Sequence, residues 1–302
     1  MTFDLRGVYP AITTPFHEDG RIDFERLRAH ARRLEAAGVD GIVPVGSTGE
    51  SATLSHDEHV EVIEAVVDAV EEAPVVAGTG SNNTREALSL SQRAADAGAD
   101  GILLISPYYN KPEQRGLLEH YRTVADEVDL PQVVYNVPSR TGRNVAPDTV
   151  VELASHPNVA GYKAASGDAG QVSEVIERTR EEAFAVLSGD DGMTLPLLAA
   201  GGTGVISVAA NVVPRRTVGL VEAALDNDYE RARRLHHQLG PLFRALFVET
   251  NPIPVKEALH YRNDYPPHLR SPLSRLRDEH REPLRSVLDE LSARPAPAEV
   301  AE

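Results

Sequence analysis

Ala37-Gly38-Val39-Asp40-Gly41-Ile42 recurs 60 residues later as Ala97-Gly98-Ala99-Asp100-Gly101-Ile102, and this repeat decides the predicted fold. In both copies an amphipathic helical pattern stops at a glycine, and a short apolar strand begins directly after it. A helix that stops before a strand, repeated at a fixed interval, is the pattern of stacked βα units. The repeat therefore predicts an α/β fold with parallel strands.

The same alternation extends in both directions from the repeat and ends at about residue 226. Eight short apolar strands are predicted, over residues 7–12, 41–45, 74–78, 101–105, 132–135, 159–163, 185–187 and 204–208. Helical patterns occupy the intervals, and one of them begins near Ser55, an N-cap with Glu58 three residues later. Eight such units favour closure into a (β/α)8 TIM barrel. The alternative is a doubly wound open sheet, but no G-x-G-x-x-G motif follows the first strand.

The last quarter of the chain contains helical patterns only. They predict helices over residues 229–248 and 255–261 and a third along one apolar stripe of Leu273, Leu276, His280, Leu284, Val287 and Leu291. We therefore expect a barrel carrying the active site over residues 1–226 and a C-terminal helical region over residues 227–293. Residues 294–302, rich in Pro, Ala and Glu, are expected to form a disordered tail.

Composition limits the classes of function. The chain has 46 acidic and 30 basic side chains and a net charge of −16, which argues against a nucleic-acid or anionic-membrane partner. It has no cysteine, so disulfides and thiolate chemistry are excluded. There is no signal-peptide pattern and no apolar run of roughly 20 residues, so we expect a cytoplasmic protein. The acidic, lysine-poor composition predicts a halophilic protein, with general solubility as the alternative.

Lys163 is the predicted nucleophile. The chain has only three lysines, and Lys163 ends the apolar strand that starts at Val159, where a charged amine is costly to desolvate. A desolvated lysine has a lowered pKa and can form a Schiff base with a ketone. The alternative is a lysine that simply reaches solvent. Lys111 follows an exposed loop and Lys256 lies outside the predicted strands, so both are less suited to this role.

The predicted strand ends carry hydroxyls, glycines and phenols, and barrel enzymes place their chemistry there. The turn Gly46-Ser47-Thr48-Gly49 suits a carboxylate, although ordinary strand-to-helix turns look similar. Tyr135 lies one strand before Lys163, and its phenol suits proton transfer with Thr48 and Tyr109 as relay partners.

Arg140 follows the Tyr135 strand, and its guanidinium suits a bidentate grip on a carboxylate, although a surface arginine is the common alternative. The sequence contains no His–carboxylate cluster and no P-loop. We therefore expect amine chemistry without a metal or cofactor.

Together these stretches resemble the dihydrodipicolinate synthase (4-hydroxy-tetrahydrodipicolinate synthase) family, within the superfamily of pyruvate-dependent class I aldolases and N-acetylneuraminate lyases. The resemblance runs from about Gly7 to Tyr261. Its most specific pieces are Gly46-Ser47-Thr48-Gly49-Glu50-Ser51, Pro107-Tyr108-Tyr109-Asn110-Lys111-Pro112, Tyr135-Asn136-Val137-Pro138-Ser139-Arg140-Thr141-Gly142, Gly161-Tyr162-Lys163, Ser188-Gly189-Asp190-Asp191 and Asn251-Pro252-Ile253-Pro254-Val255-Lys256.

The resemblance implies a lyase that condenses pyruvate with L-aspartate 4-semialdehyde, the first committed step of diaminopimelate and lysine biosynthesis. It implies a homotetramer, built as a dimer of dimers, that needs no cofactor because Lys163 forms a covalent imine with pyruvate. The implied proton relay consists of Tyr135, Thr48 and a Tyr109 lent by the neighbouring subunit. The implied substrate-binding residues are Arg140 for the carboxylate of the semialdehyde and, for pyruvate, the turn at Ser47 and Thr48 with the backbone at Gly189 and Ile206.

Some members of this family are inhibited by lysine at a dimer interface. The matching positions here are Ser51, Ala52, His56, His59, Asn82, Glu86 and Tyr108. We expect lysine inhibition, with a pair of solvated histidines on one helical face as the alternative.

Two departures keep other functions open. Ser47 stands where the synthases often carry threonine, and Ala164 stands where they commonly have glutamate. The alternative is a pyruvate-releasing aldolase that acts on a 2-keto-3-deoxy sugar acid or N-acetylneuraminate, but Arg140 and the Tyr108-Tyr109 pair favour the synthase. A third hypothesis is a non-catalytic barrel that senses an amino acid through the surface around His56 and Glu86.

Overall fold

The protein, described here over residues 5–293 by a computed structural model, is built on a curled sheet of seven parallel strands. The sheet order is β1-β7-β6-β5-β4-β3-β2, and every pairing is parallel. The strands are β1 (Gly7–Pro10), β2 (Val76–Gly78), β3 (Gly101–Ile105), β4 (Gln132–Asn136), β5 (Val159–Ala164), β6 (Ala185–Ser188) and β7 (Gly204–Ser207). The tail predicted over residues 294–302 lies outside the described residues.

The segment predicted as the second strand closes the sheet between β1 and β2 without forming a regular strand. Val43 bridges to Ala11 and Ile42 bridges to Val75, both in parallel. Pro44 has no N–H to donate, although its carbonyl still accepts from the Gly78 N–H at 3.0 Å, and Val45 then takes a left-handed conformation with φ of 50°. The predicted strand over residues 41–45 is therefore corrected to two bridges, and the predicted TIM barrel is confirmed.

The helices cover the outside of the barrel and its C-terminal end. They are α1 (Phe24–Ala36), α2 (His56–Val67), α3 (Thr84–Asp96), α4 (Gln114–Glu127), α5 (Pro138–Thr141), α6 (Pro147–Ala154), α7 (Ala169–Thr179), α8 (Thr194–Ala199), α9 (Pro214–Leu225), α10 (Tyr229–Ala245), α11 (Ile253–Asn263) and α12 (Asp278–Ala293). The predicted cap of α2 is confirmed, because Ser55 and Glu58 form both bonds of a capping box. Within residues 5–293 no helix has the length and apolarity to cross a membrane.

Alternate strand residues fill two different cores. Val134 and Tyr162 point outward to the helices, and their neighbours along each strand point into the barrel. We call the residues that fill the interior the inner cluster; they are Leu5, Tyr9, Ala11, Val43, Val76, Leu103, Val133, Tyr135, Val137, Leu187 and Ile206. In register, Lys163 lies beside Tyr135 on β4 and Leu187 on β6, so it faces the barrel interior.

The C-terminal region differs in detail from the sequence expectation. Helix α12 begins at Asp278, so Leu273 and Leu276 of the predicted stripe precede it in an irregular segment. Three prolines in this segment, Pro266, Pro267 and Pro272, have no N–H to donate to a helix. Leu276 is still buried, because the segment packs onto the same core as α12.

This irregular segment, residues 264–277, is hydrogen-bonded to the start of α2. Arg270 donates from both terminal nitrogens to the Glu58 carboxylate, at 2.6 and 2.7 Å. Its guanidinium carbon also lies 4.5 Å from the centre of the Phe16 ring. A bidentate arginine–carboxylate pair fixes geometry better than a single bond does, so the end of the chain is held against the turn that precedes α2.

Candidate active site

Lys163 lies at the C-terminal end of β5 and is 6% exposed. Its Nζ lies 4.1 Å from the centre of the Tyr135 ring. Burial lowers the pKa of Lys163 to about 7, although the Asp191 carboxylate acts in the opposite direction, and the Arg140 charge lowers it further. The shift brings the neutral amine, the form that attacks a carbonyl, into the range of neutral pH.

Gly189 leaves room for this amine. A Cβ at this position would lie 3.1 Å from both Cγ and Cε of Lys163 and 2.9 Å from the Cβ of Ala165. The Gly189 N–H donates to the Ala164 carbonyl at 2.7 Å, which fixes the end of β6 against β5. A side chain at position 189 would therefore displace the lysine.

The Ser47 side chain lies within hydrogen-bonding reach of the Tyr135 phenol, and the relay role of Thr48 stays a prediction. Burial raises the pKa of Tyr135 to about 12, while the Arg140 charge and the hydrogen bond with the Ser47 side chain partly offset that rise. The phenol therefore keeps its proton at neutral pH. The Thr48 hydroxyl instead accepts a hydrogen bond from Asn251 Nδ2 at 2.9 Å. Adjacent residues of the turn point in different directions, and Ser47 is the one that faces the phenol.

The turn that carries Ser47 and Thr48 follows a strained residue. Val45 is buried and β-branched, yet its φ is 50°. Its carbonyl fits because residue 78 is glycine: a Cβ at Gly78 would lie 2.6 Å from the Val45 oxygen. At the far end of the turn, the Thr14 hydroxyl donates to the Gly49 carbonyl at 2.7 Å. Strain of this kind is concentrated at functional sites.

Six of the predicted catalytic and substrate-binding residues line a cavity of about 640 Å³. Arg140 reaches it from α5 and donates from Nη2 to the Asn251 carbonyl at 3.0 Å. The exposed segment of Phe247 and Val248 forms part of the rim. The cavity brings together Ser47, Thr48, Tyr135, Arg140, Lys163 and Gly189. The Ile206 side chain is in the inner cluster and does not line the cavity.

A second cavity of about 610 Å³ adjoins the first and shares Ser47, Tyr135 and Arg140 with it. Tyr109 borders this cavity; it is 89% exposed and has a left-handed φ of 68°. Of the positions matched to a lysine site, those that line it are Ser51, Ala52, His56, His59, Glu86 and Tyr108. Asn82 does not line it, and its carbonyl accepts a bond from the Asn110 side chain at 2.9 Å.

The two histidines matched to the lysine site differ in environment. His56 is exposed, but His59 is buried and its Nε2 is bonded to the Gly78 carbonyl at 2.6 Å. Burial lowers the pKa of His59 to about 4, so the ring is neutral at pH 7 and donates to that carbonyl. The alternative of two solvated histidines is therefore wrong for His59.

Sequence reasoning assigned no role to Asp191 and Asn251, although both belong to the stretches quoted for the resemblance. Asp191 is buried and accepts bonds from the Ser207 hydroxyl and from the N–H groups of Val208 and Ala209. Burial raises the pKa of Asp191, and its negative charge raises that of Lys163. An acidic residue three positions after the end of β6 was the signal for Asp191. Nothing in the sequence pointed to the contact between Asn251 and Thr48.

Lys256 is a buried lysine in a different setting. Its Nζ is bonded to the Glu50 carboxylate and, at 2.8 Å, to the His268 carbonyl. Burial lowers its pKa to about 8 against the opposing effect of Glu50. These bonds join α11 to the turn that carries Glu50. Lys256 therefore has a structural role, which agrees with the choice of Lys163 as the nucleophile. Over residues 5–293 no group of three or more His, Asp or Glu side chains is arranged to hold a metal ion.

Residues 4–291 match the model of the dihydrodipicolinate synthetase family. The chain belongs to that family. Its relatives are named as synthases of the lyase class, so the chain is a dihydrodipicolinate synthetase-family lyase. The 4-hydroxy-tetrahydrodipicolinate synthase of the halophile Haloarcula marismortui is 69% identical over 299 residues, covering 99% of this chain and 98% of the relative. That of Natronomonas pharaonis is 68% identical over 292 residues, covering 96% and 99%.

Solved structures of the dihydrodipicolinate synthetase family have the same fold. The dihydrodipicolinate synthase of Acinetobacter baumannii, described as chloride-inhibited and complexed with pyruvate, has a TM-score of 0.93 and 41% identity, covering 95% of this chain and 99% of that one. The synthase of Cyanidioschyzon merolae, described as having lysine bound, has a TM-score of 0.92 and 39% identity, covering 95% and 98%.

Proposed function

We propose that this lyase condenses pyruvate with L-aspartate 4-semialdehyde to 4-hydroxy-tetrahydrodipicolinate, without a cofactor. The observation that supports it most strongly is Lys163, a buried amine whose pKa is about 7 and which lines a cavity together with Tyr135 and Arg140. The names of the relatives and the pyruvate in the Acinetobacter baumannii synthase agree with this substrate.

In the proposed reaction the neutral Lys163 amine attacks the keto carbon of pyruvate, and loss of water gives the imine. The phenol of Tyr135 and the hydroxyl of Ser47 pass the protons that the carbinolamine gains and loses. Loss of a proton from the methyl carbon then gives the enamine. That carbon attacks the aldehyde of the second substrate, whose carboxylate is held by Arg140. The amine of the second substrate finally attacks the imine carbon, closes the ring and releases Lys163.

The test is condensation of pyruvate with L-aspartate 4-semialdehyde by the purified chain in high-salt buffer. Lys163→Ala should abolish turnover, and the matched control Lys111→Ala should retain it, because Lys111 is an exposed lysine. Borohydride reduction with pyruvate should add a three-carbon adduct at residue 163. Cleavage of a 2-keto-3-deoxy sugar acid or N-acetylneuraminate in place of the condensation would identify the sugar-acid aldolase instead.

We also propose that lysine inhibits the enzyme from the 610 Å³ cavity. The Glu86 carboxylate lines it and accepts from the Ser81 hydroxyl at 2.8 Å, so it offers a negative charge to a ligand ammonium. Ser47 lines both this cavity and the active-site cavity. A lysine molecule bound here could therefore act directly on the turn that carries Ser47. Titration with L-lysine should lower the rate, and Glu86→Gln should weaken the effect. A flat titration of the wild type to millimolar lysine would contradict this proposal.

A further inference from the structure

Asn251 joins the two sides of the Lys163 cavity. Its side chain is 5% exposed and lines the cavity beside Thr250. The side-chain nitrogen Nδ2 donates to Thr48 Oγ1 at 2.9 Å, and the main-chain carbonyl accepts from Arg140 Nη2 at 3.0 Å. The side-chain oxygen Oδ1 is buried and has no hydrogen-bond partner among the described residues. Within residues 5–293 the one side-chain hydrogen bond of this amide is therefore that to Thr48.

The direction of that bond determines what Thr48 can do. An asparagine NH₂ group only donates, whereas a threonine hydroxyl donates one proton and accepts on its lone pairs. Since Thr48 Oγ1 accepts from Asn251, its own proton remains available to a different acceptor. Thr48 and Lys163 line the same cavity, so that acceptor can belong to a ligand. An ionised carboxylate is an acceptor-only group.

We infer that Asn251 is a positioning residue that directs the Thr48 hydroxyl proton to the carboxylate of the keto acid bound on Lys163. The inference rests on the proposed function, because it takes a keto acid as the ligand of this cavity. If residue 251 instead accepted the Thr48 proton, the Thr48 hydroxyl could present only its lone pairs to the carboxylate, which is itself an acceptor.

The two contacts of Asn251 also separate the two substrates. Its side chain acts on Thr48, on the pyruvate side of the cavity, and its main-chain carbonyl acts on Arg140, on the side of the second substrate. A substitution changes the first contact and retains the second. Loss of the side chain should therefore weaken pyruvate binding and leave the KM for L-aspartate 4-semialdehyde within about twofold of the wild type.

The test uses Asn251→Leu, which removes the donor, and Asn251→Asp, which has the same shape but accepts from Thr48. Borohydride trapping of the Lys163 imine at increasing pyruvate concentrations, followed by intact mass, gives a half-saturating concentration without the second substrate. We expect this concentration to rise about tenfold in Asn251→Leu, the effect of one hydrogen bond to a charged group. It should rise further in Asn251→Asp, because the new carboxylate accepts the Thr48 proton and repels the pyruvate carboxylate.

Two controls separate this role from general effects on stability and charge. In a Thr48→Val background, Asn251→Leu should add less than about twofold, because the hydroxyl that it orients is gone. In the same Thr48→Val background, the further rise in half-saturating pyruvate concentration caused by Asn251→Asp measures the effect of the added charge alone. Asn158→Leu removes a bond of similar length, from Nδ2 to the Ala125 carbonyl at 3.0 Å, just before β5 begins. It should leave the half-saturating pyruvate concentration unchanged.

Wild-type half-saturation in both Asn251 variants, with Lys163 still trapped, would overturn the inference. If Asn251→Leu does not fold, the isosteric Asn251→Asp decides the question alone. A wild type that traps pyruvate but does not condense it with L-aspartate 4-semialdehyde refutes the proposed function and leaves the role of Asn251 open to the same trapping measurement. A wild type that traps no pyruvate overturns both.

Discussion

At the scale of single residues, the environment of each buried lysine decides its task. Lys256 is bonded to Glu50 and to a carbonyl oxygen, and its charge is part of the fold. Both amines lie over an aromatic ring, Tyr135 for Lys163 and Phe16 for Lys256. Lys163, however, is bonded to no carboxylate among the described residues and borders an open cavity. An aromatic face stabilises the ammonium form far less than a bonded carboxylate does. Lys163 is therefore the lysine that loses its proton most readily and has space for a carbonyl ligand.

Imine formation should rise with pH through about 7 and then level off. Burial lowers the pKa of Lys163 to about 7, and the ammonium form that dominates below this pH cannot attack a ketone. The measurement is the initial rate of the borohydride-trapped pyruvate adduct over a range from about pH 5 to about pH 9. A rate that does not change with pH would contradict the assignment.

The same pKa shift predicts an effect on stability. The unfolded chain keeps the ordinary pKa of 10.5, so between about 7 and 10.5 it binds a proton that the folded protein lacks, and stability rises with pH in this window. Below pH 7 the cost of burying the ammonium is complete. Lys163→Met should therefore unfold at a higher temperature than the wild type at pH 6, and this gain should shrink toward pH 10. The exposed Lys111→Met should show no such trend.

At the scale of elements, the turn over residues 46–51 depends on a precise fit between backbones. Val45 is held with a positive φ, and its carbonyl oxygen lies 2.6 Å from the position that a Cβ at Gly78 would take. The glycine at the end of β2 therefore sets the position of the turn that carries Ser47 and Thr48. The fit is local and steric, so it responds to the addition of one methyl group.

Gly78→Ala should destabilise the protein by about 1–3 kcal/mol, because the new Cβ would lie 2.6 Å from the Val45 oxygen and force it to move. It should also raise the KM for pyruvate, since the turn moves with Val45. Thermal unfolding and steady-state kinetics measure the two effects. Gly46→Ala is the matched control for stability, because no atom lies within 4 Å of its added Cβ. Equal unfolding temperatures for the two variants would contradict this account.

The sequence predicted the order of strands and helices because apolar runs, stop glycines and caps are local signals. It also predicted which strand ends meet, since parallel strands in a barrel end on the same side. It did not predict which hydroxyl faces Tyr135, because the direction of adjacent side chains in a turn depends on backbone angles that no pattern encodes. The left-handed Val45 is one such angle.

The other differences arise from contacts that are distant along the chain. Asn251 and Thr48 are 203 residues apart in sequence, and no local pattern predicts such a contact. Leu273 and Leu276 keep helical spacing with the residues after them, but residues 264–277 form no helix. A periodic stripe therefore identified which residues are buried without identifying the secondary structure that buries them.

At the scale of the whole molecule, Tyr109 points to an assembly. It is 89% exposed and has a left-handed backbone, and it lies at the edge of the 610 Å³ cavity that adjoins the Lys163 cavity. We propose a homotetramer, built as a dimer of dimers, in which Tyr109 serves the site of the adjacent subunit. The fold of a single chain cannot decide the oligomeric state, but mixed variants can.

Co-expression of Lys163→Ala with Tyr109→Phe should restore activity that neither variant has alone. A hybrid pair has one site with an intact Lys163 and the intact Tyr109 of the other subunit, so random mixing should give about a quarter of the wild-type rate. The control is the same pair of substitutions combined in one chain and co-expressed with Lys163→Ala, which has no such site. No recovery in the mixed sample would show that Tyr109 does not act across an interface.

The acidic surface predicts stabilisation by salt. A net charge of −16 repels itself in the folded state, and counterions screen that repulsion. We propose that the protein is halophilic, in line with the 69% identical relative from Haloarcula marismortui. The unfolding temperature should rise as KCl increases from about 0.1 M to about 1 M, a range over which the Debye length shortens threefold. Stability that is independent of KCl would refute this proposal.

The late position of Asn251, Lys256 and Arg270 in the chain has a consequence for biosynthesis. When Ser207 at the end of β7 has left the ribosome, every strand of the barrel exists, and so does the Lys163 amine. The partners of Thr48, Glu50 and Glu58 have still to be translated. A nascent or truncated chain that stops before residue 251 therefore carries the reactive lysine but lacks the contacts that fix the turn over residues 46–51. Catalytic competence should arrive only when the last helices have been made and have docked.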